Sequence, residues 1–166
     1  MTEVSLRLAE REDAATLLAF LNRVTKQSEA ILLPGIDKVT TAEEAVRLAA
    51  VANRNDCLIL LAVADDQLLG LLTIMHQQDH PGAGEVGLVV DQPYWGQGIG
   101  RLLLEEGQYW YEHYSSLDRL VLTVYEENAR ARHLYRALGF TESGHLQEPL
   151  PAGGSKPAVA MTYQAK

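Results

Sequence analysis

Three glycines recur at every second position where a strand-like run gives way to a helix-like one. Gly96, Gly98 and Gly100 stand in the stretch VVDQPYWGQGIGRLLL, after an apolar β-branched run. Glycine permits positive φ and lets a ligand approach the main chain closely. The first turn of the following helix has unpaired N–H groups at the positive end of the helix dipole. The pattern therefore predicts an anion site, with phosphate as its natural occupant and Arg101 adding charge at the rim.

Other kinds of glycine turn fit this stretch less well. A P-loop requires Lys-Ser or Lys-Thr after the last glycine, whereas this chain has Arg101 followed by Leu102. A dinucleotide fingerprint requires G-x-G-x-x-G in an early βαβ unit, whereas the spacing here is G-x-G-x-G and comes late in the chain. A tight strand-to-helix turn without a ligand stays open as the alternative for the glycines taken alone.

A second pair of polar residues follows about thirty residues later. Asn128 and Tyr135 stand seven positions apart in LTVYEENARARHLYRALGF, ahead of Gly139, which is predicted to end the helix. Because seven residues make nearly two helical turns, both side chains share a face if the helix begins near Asn128. An amide and a phenol on that face can both hydrogen-bond a ligand. Each residue also fits a purely structural role, as a helix N-cap for Asn128 and as a half-buried core tyrosine for Tyr135.

Helices and strands must position these residues. Hydrophobic periodicity predicts such elements over the whole chain. Alternating runs such as EVSLRLA indicate strands, and i, i+3, i+4 spacing in segments such as REDAATLLAFLNRVTKQ indicates helices. The predicted order is β-α-α-β-β-β-α-β-α-β-β, in a single domain over residues 1–166. Because helices are interleaved with a hairpin-rich run of strands, we expect an α/β fold with a mixed, mostly antiparallel sheet flanked by helices.

Composition limits the classes of partner that the protein could bind and indicates its cellular compartment. The formal net charge of −8 argues against a nucleic-acid binder, because phosphate contacts need a basic face. Cys57 is the one cysteine, so an internal disulfide and a multi-cysteine zinc site are excluded, and its apolar surroundings predict a buried thiol. No residue spacing resembles a metal site. With no signal-peptide pattern and no bilayer-length apolar run, we expect a cytoplasmic protein with no membrane partner.

Taken together, the two motifs resemble those of a known family. A strand, the YWGQGIG turn and a helix precede a second strand and the pattern N-x-x-A-x-x-L-Y-x-x-x-G-F. This combination is similar to the GNAT superfamily of acyl-CoA-dependent N-acetyltransferases, and most similar to the branch that contains the ribosomal-protein N-terminal acetyltransferases. The motifs cover about residues 85–140, and the predicted order of elements fits the family's fold over essentially the whole chain.

The resemblance implies a site for acetyl-CoA as co-substrate, without a metal. Main-chain N–H groups of the glycine turn would bind the coenzyme's pyrophosphate. The preceding strand, splayed from its neighbour by a bulge, would pair with the pantetheine arm. The residues implied are Leu88, Val89, Val90, Trp95, Gly96, Gln97, Gly98, Ile99, Gly100, Arg101 and Asn128. Tyr135 corresponds to the hydroxyl that protonates the departing thiolate.

Trp95 departs from the family pattern. It stands three residues before the middle glycine of the turn, where the family most often has Arg or Gln. This residue lowers the local positive charge. Because main-chain donors hold most of the anion, we expect the cofactor site to remain and Arg101 to matter more.

Transfer of an acetyl group from a thioester to an amine has three chemical needs. The amine must be neutral when it attacks, yet a lysine-like amine with a pKa of about 10.4 is mostly protonated at neutral pH. Glu85 is the candidate base, acting directly or through water, with a solvated strand-end glutamate as the alternative. A strand N–H near Val89 or Val90 is the candidate donor to the oxyanion. The Tyr135 hydroxyl is the candidate proton donor to the thiolate.

Recognition of the acceptor is expected from the irregular segments SEAILLPGIDK and EPLPAGGSK, because loops on a rigid sheet commonly carry specificity. Glu29 and Asp37 are candidate anchors for a cationic amine, with ordinary surface charge as the alternative. His76 is a further candidate, since its strand should neighbour that of Glu85. The acceptor, a small-molecule or peptide amine, stays open, and so does a homodimer, the commonest soluble assembly.

Two rival functions are compatible with the same residues. A non-catalytic acyl-CoA-binding regulatory module would share the fold, and a nucleotide-binding structural domain would prefer ATP or NAD to coenzyme A. The two motifs together favour an enzyme, an N-acetyltransferase that moves an acetyl group from acetyl-CoA to a primary amine by direct transfer in a ternary complex.

Overall fold

The computed structural model describes residues 3–28, 35–150 and 152–166. Its elements follow the predicted order β-α-α-β-β-β-α-β-α-β-β, so that prediction is confirmed. The strands are β1 (Ser5–Leu8), β2 (Cys57–Ala64), β3 (Gln67–His76), β4 (Ala83–Val90), β5 (Arg119–Tyr125), β6 (Thr141–Pro149) and β7 (Ser155–Tyr163). The helices are α1 (Ala14–Val24), α2 (Thr41–Ala52), α3 (Ile99–Tyr114) and α4 (Ala129–Ala137).

The strands form one mixed sheet in the order β1-β2-β3-β4-β5-β7-β6. Within the described part of the chain, β4 and β5 are the one parallel pair and the other neighbours are antiparallel, as predicted. This parallel pair matches only three residues of each strand, from Ala83 opposite Arg119 to Glu85 opposite Val121. Beyond Glu85 the two strands separate, so the sheet opens at its centre.

The prediction of a bulge in β4 is wrong, whereas the predicted separation of β4 from its neighbour is confirmed. Pairing of β4 with β3 runs from Gly84 to Val90 without a register shift. By contrast, β5 stays paired with β7 from Leu120 to Tyr125. The gap therefore opens because each central strand follows its outer neighbour, and β4 stays regular.

Both faces of the sheet are covered, which explains why β2 reads as one continuous apolar run. Leu58 and Leu60 belong to a core shared with α3, whereas Ile59 and Leu61 belong to a core shared with α1 and α2. Cys57, at the start of the same strand, is buried, as the sequence predicts. Helix α4 packs more loosely on the α3 side of the sheet, so one of its faces is left for the central gap. No helix among the described residues is both long enough and apolar enough to cross a bilayer.

Candidate active site

A cleft of about 1480 Å³ occupies the gap between β4 and β5. Its walls include the second half of β4, the end of β5 and the first turns of α3 and α4. Most of the residues that the sequence implicates meet here, namely Leu88, Val89, Val90, Trp95, Gly96, Gly98, Ile99, Gly100, Arg101, Asn128 and Tyr135. Gln97 and Glu85 are not among the lining residues, and their assigned roles stay predictions.

The glycine turn presents main-chain donors to the cleft. Gly96 and Gly98 have φ of 78° and 85°, a backbone conformation that side chains with a Cβ rarely adopt. Gly98 is the N-cap of α3 and offers no side chain to cap it, and the first bond of the helix runs from the Leu102 N–H to the Gly98 carbonyl at 3.1 Å. The N–H groups of the three residues between them, 99–101, therefore stay available to an anion at the positive end of a 16-residue helix.

A buried carboxylate fixes the start of this turn. Asp91 is only 4% exposed. The Arg23 guanidinium donates to its Oδ2 from Nε at 3.2 Å and from Nη2 at 3.0 Å, and Gln27 Nε2 donates to its Oδ1 at 2.7 Å. The Gln92 N–H in turn donates to Gln27 Oε1 at 3.0 Å. These bonds tie the C-terminal end of α1 to the segment that links β4 to the glycines.

Two aromatic residues hold the rest of the turn. The Tyr94 hydroxyl donates to Gln67 Oε1 at 3.1 Å, and the Trp95 indole N–H donates to the Val90 carbonyl at 2.6 Å. Trp95 thus folds back onto the end of β4 and stays 42% exposed. The turn is pre-organised by these bonds, which lowers the entropy lost when a ligand binds.

Regular pairing of β4 determines which of its main-chain groups face the gap. The Asp91 N–H donates to the Leu69 carbonyl of β3 at 2.9 Å. Because ladder bonds involve every second residue of an antiparallel strand, Val89 also faces β3, whereas Leu88 and Val90 face the gap. Of the two expected oxyanion donors, the geometry therefore leaves the Val90 N–H free and uses that of Val89 in the sheet.

The Asn128 side chain caps helix α4 and also keeps an amide donor available. Its Oδ1 accepts a hydrogen bond from the Ala131 N–H at 3.2 Å, so it is the N-cap of α4. Within the described residues its amide NH₂ group has no hydrogen-bond partner, and the residue lines the cleft. The N-cap alternative is therefore confirmed, and the amide nitrogen remains able to bind a ligand.

Tyr135 lies on the same wall, two turns further along α4. Its ring packs against Phe140, with the ring centroids 5.8 Å apart. Burial raises the pKa of the Tyr135 phenol to about 12, because the phenolate loses hydration there. No described residue hydrogen-bonds its hydroxyl, and Tyr135 is one of the residues that line the cleft. The phenol therefore stays protonated over the ordinary pH range and can act as a proton donor.

Glu85 lies at the rim of the cleft. It pairs with Met75 of β3 and shares a sheet face with Gly87, which is about 7 Å further along the strand. Both of those residues line the cleft. The Glu85 side chain is exposed and accepts a hydrogen bond from Gln77 Nε2 at 3.1 Å. From this position it can exchange protons with the cleft through water.

Of the three acceptor-binding candidates, the two that the structure describes lie outside the cleft lining. His76 Nδ1 lies 3.8 Å from Asp56 Oδ2, and His76 is not a lining residue. Asp37 is exposed in the short 3-10 turn before α2 and also lies outside the lining. Glu29 falls outside the described residues. Their roles in binding the acceptor stay predictions.

The lining also includes charged residues that the sequence reading missed. Two ion pairs line the cleft: Arg47 Nε donates to Glu44 Oε1 at 2.6 Å, and Lys156 Nζ donates to Glu127 Oε1 at 2.6 Å. The spacing of Glu44 and Arg47 on one face of a helix was the available signal. Lys156 and Glu127 are 29 residues apart, which no local pattern connects. Among the described residues, no group of three or more His, Cys, Asp or Glu side chains could hold a metal ion.

Comparison with known proteins gives a family match. Residues 28–140 match the model of the acetyltransferase (GNAT) family. A spermidine N(1)-acetyltransferase from Vibrio cholerae is 28% identical over 100 residues, which are 60% of this chain and 58% of that protein. The match thus spans less than two thirds of that relative.

Solved structures resemble the chain over nearly its whole length. An acetyltransferase of the GNAT family from Streptococcus pneumoniae has a TM-score of 0.91 and 32% identity, covering 98% of this chain and 100% of that one. A ribosomal-protein-S5-alanine acetyltransferase from Vibrio fischeri has a TM-score of 0.82 and 20% identity, covering 99% and 96%. The second likeness is one of fold alone. The resemblance drawn from the two motifs is confirmed at the level of the family.

Proposed function

The chain belongs to the GNAT acetyltransferase family, and on that basis we propose that it transfers an acetyl group from acetyl-CoA to a primary amine. The transfer is direct, within a complex that holds both substrates. The observation that carries the proposal is that uncapped main-chain donors and a protonated phenol line the same cleft. The acceptor is a small-molecule or peptide amine.

The cleft residues fit the coenzyme. The N–H groups at the start of α3 suit a diphosphate, because such groups bind anions without a side chain. Gly100 is the residue that lets a ligand reach them, since a Cβ there would stand 3.7 to 3.8 Å from Leu88, Leu134 and Val90, inside the lining. The gap-facing main-chain groups of β4 and the amide of Asn128 suit the amides of a pantetheine arm.

The chemistry follows from the groups around the open end of β4. The neutral amine nitrogen attacks the thioester carbonyl, a C–N bond forms and the C–S bond breaks. The Val90 N–H, which faces the gap, donates to the oxygen that becomes negative in this proposal. The Tyr135 hydroxyl gives its proton to the leaving sulfur, and the proton lost by the nitrogen passes through water to Glu85 or to solvent. The phenolate left on Tyr135 takes a proton back from solvent, so the protons and electron pairs balance without an oxidant.

Release of free thiol from acetyl-CoA in the presence of an amine tests this function. A panel of amines should include a polyamine, free amino acids and peptides with a free N-terminus, with the acetylated product identified by mass spectrometry. At least one amine is expected to raise thiol release above that of acetyl-CoA with protein alone. Tight binding of CoA without thiol release for any member would favour the regulatory module.

The value of kcat/KM should rise with pH and should not fall again at alkaline pH. For an acceptor with an amine pKa of about 10.4, kcat/KM is expected to rise about tenfold per pH unit from about pH 6 to about pH 9. The proton donor stays protonated throughout, because the pKa of Tyr135 is raised to about 12. Measurement up to about pH 10, with recovery of activity on return to neutral pH as control, tests this. A fall that begins near pH 8 would contradict the assignment of Tyr135 as the acid.

A further inference from the structure

We propose that Arg130 supplies the side-chain cation that binds the coenzyme's diphosphate at the glycine turn. It does so in place of the Arg or Gln that the family pattern most often has at the position of Trp95. The inference rests on the proposed function, because it concerns the same coenzyme site. It adds a specific ionic contact from α4, a helix other than the one that carries the turn.

Arg130 lies directly against the turn. One of its terminal guanidinium nitrogens is 3.4 Å from the point that a Cβ of Gly96 would occupy. Arg130 is the second residue of α4, it is exposed, and it lines the cleft. Its guanidinium therefore lies beside the same turn that leads into the free N–H groups of α3.

Arg130 also has no acidic partner of its own among the described residues. The other arginines of α4 are engaged, since Arg132 and Arg136 both donate to Glu142. Arg101, the cation that the sequence favours, lies 3.5 Å from Glu105 one turn along α3. A carboxylate at that distance opposes the binding of a second anion by the same guanidinium. Among the described residues, Arg130 is therefore a cation that lies against the turn and has no carboxylate partner.

Trp95 cannot fill this role. Its indole is neutral, and its single donor is already bonded to the Val90 carbonyl at 2.6 Å. A planar guanidinium can instead contact two phosphate oxygens at once, and such charge-assisted bonds are stronger than neutral ones. A diphosphate held by main-chain donors of α3 and by Arg130 of α4 would connect the two walls of the cleft.

The test compares two ligands in titration calorimetry with the intact protein. Arg130→Gln is expected to raise the Kd of CoA and of 3′-dephospho-CoA by the same factor, about tenfold. The Tm of the unliganded variant should match that of the wild type. Arg11→Gln, which removes one charge from an exposed turn near the N-terminus, should leave both Kd values within about twofold. Arg101→Gln should lose less affinity than Arg130→Gln.

Salt gives a second readout that a purely structural role would not change. The Kd of the wild type for CoA should rise with ionic strength more steeply than that of Arg130→Gln, because the variant lacks a screened ionic contact. Loss of affinity for CoA alone would assign Arg130 to the 3′-phosphate and overturn the inference. Unchanged affinity for both ligands, or a larger loss in Arg101→Gln, would also overturn it. A wild-type protein that binds neither ligand would instead contradict the proposed function.

Discussion

Tyr135→Phe is expected to lower kcat for acetyl transfer by about 100-fold and to leave the Kd for CoA within about twofold. The substitution removes only the hydroxyl, and no described residue hydrogen-bonds that oxygen. Packing against Phe140 is retained because the ring stays in place. The loss should therefore fall on the step in which the sulfur leaves. Steady-state kinetics with saturating acetyl-CoA, together with calorimetry of CoA, measures both quantities.

Tyr163→Phe is the matched control. The pKa of Tyr163 is also raised to about 12, but its hydroxyl donates to Glu112 Oε2 at 2.9 Å and the residue is outside the cleft lining. The kcat of Tyr163→Phe should stay within about twofold of the wild-type value. Equal losses of kcat and of CoA affinity in Tyr135→Phe would contradict the assignment of Tyr135 as the proton donor.

Gly100→Val should weaken the binding of CoA by about 100-fold or more, because a branched side chain would block access to several charge-assisted hydrogen bonds at once. Gly100 lies in the first turn of α3 with no positive φ, so the backbone accepts a side chain without strain. A Cβ there meets its neighbours at ordinary contact distances of 3.7 to 3.8 Å. The further methyl groups must then enter the cleft. Free energy of unfolding should change by less than about 1 kcal/mol, as valine is no worse than glycine in a helix.

Gly144→Val on β6 separates this effect from a general cost of enlarging a glycine. A Cβ at Gly144 would lie 3.9 Å from that of Ala160, and the residue does not line the cleft. CoA affinity should therefore be unchanged in this variant. Retained affinity in Gly100→Val would show that the coenzyme does not lie over the start of α3.

The order of elements could be predicted from the sequence because each element buries a face with its own periodicity. In helix α3 (Ile99–Tyr114), for example, the buried residues Leu103, Gly107 and Tyr111 recur at helical spacing. Gly139, the predicted stop of α4, has φ of 96° just beyond that helix. The glycine turn and the pair Asn128 and Tyr135 were recognisable for the same reason, since each is a local pattern within one strand-to-helix connection.

Contacts between distant segments were not predictable in this way. The Arg23 and Asp91 ion pair joins residues 68 positions apart, and nothing in either local sequence indicates the other. The placement of Arg130 over Gly96 depends on how two helices flank the gap in the sheet. The insertion of β7 between β5 and β6 is likewise a property of the whole sheet, because local alternation shows only which face of a strand is buried.

The role of Trp95 illustrates the same limit. In the sequence, Trp95 is a neutral residue at a position where the family pattern most often has Arg or Gln. In the structure, its hydrogen bond to the Val90 carbonyl helps to hold the turn. The regular pairing of β4 likewise selects Val90 over Val89 as the free donor. Both conclusions need the hydrogen-bond partners as well as the residue types.

The most direct test of the anion site follows individual amide signals. In ¹⁵N-labelled protein titrated with CoA, the N–H resonances of Ile99, Gly100 and Arg101 should show the largest changes, with proton shifts downfield as each N–H binds a phosphate oxygen. Saturating CoA that leaves these three signals in place, or that moves signals only elsewhere in the protein, would contradict the account.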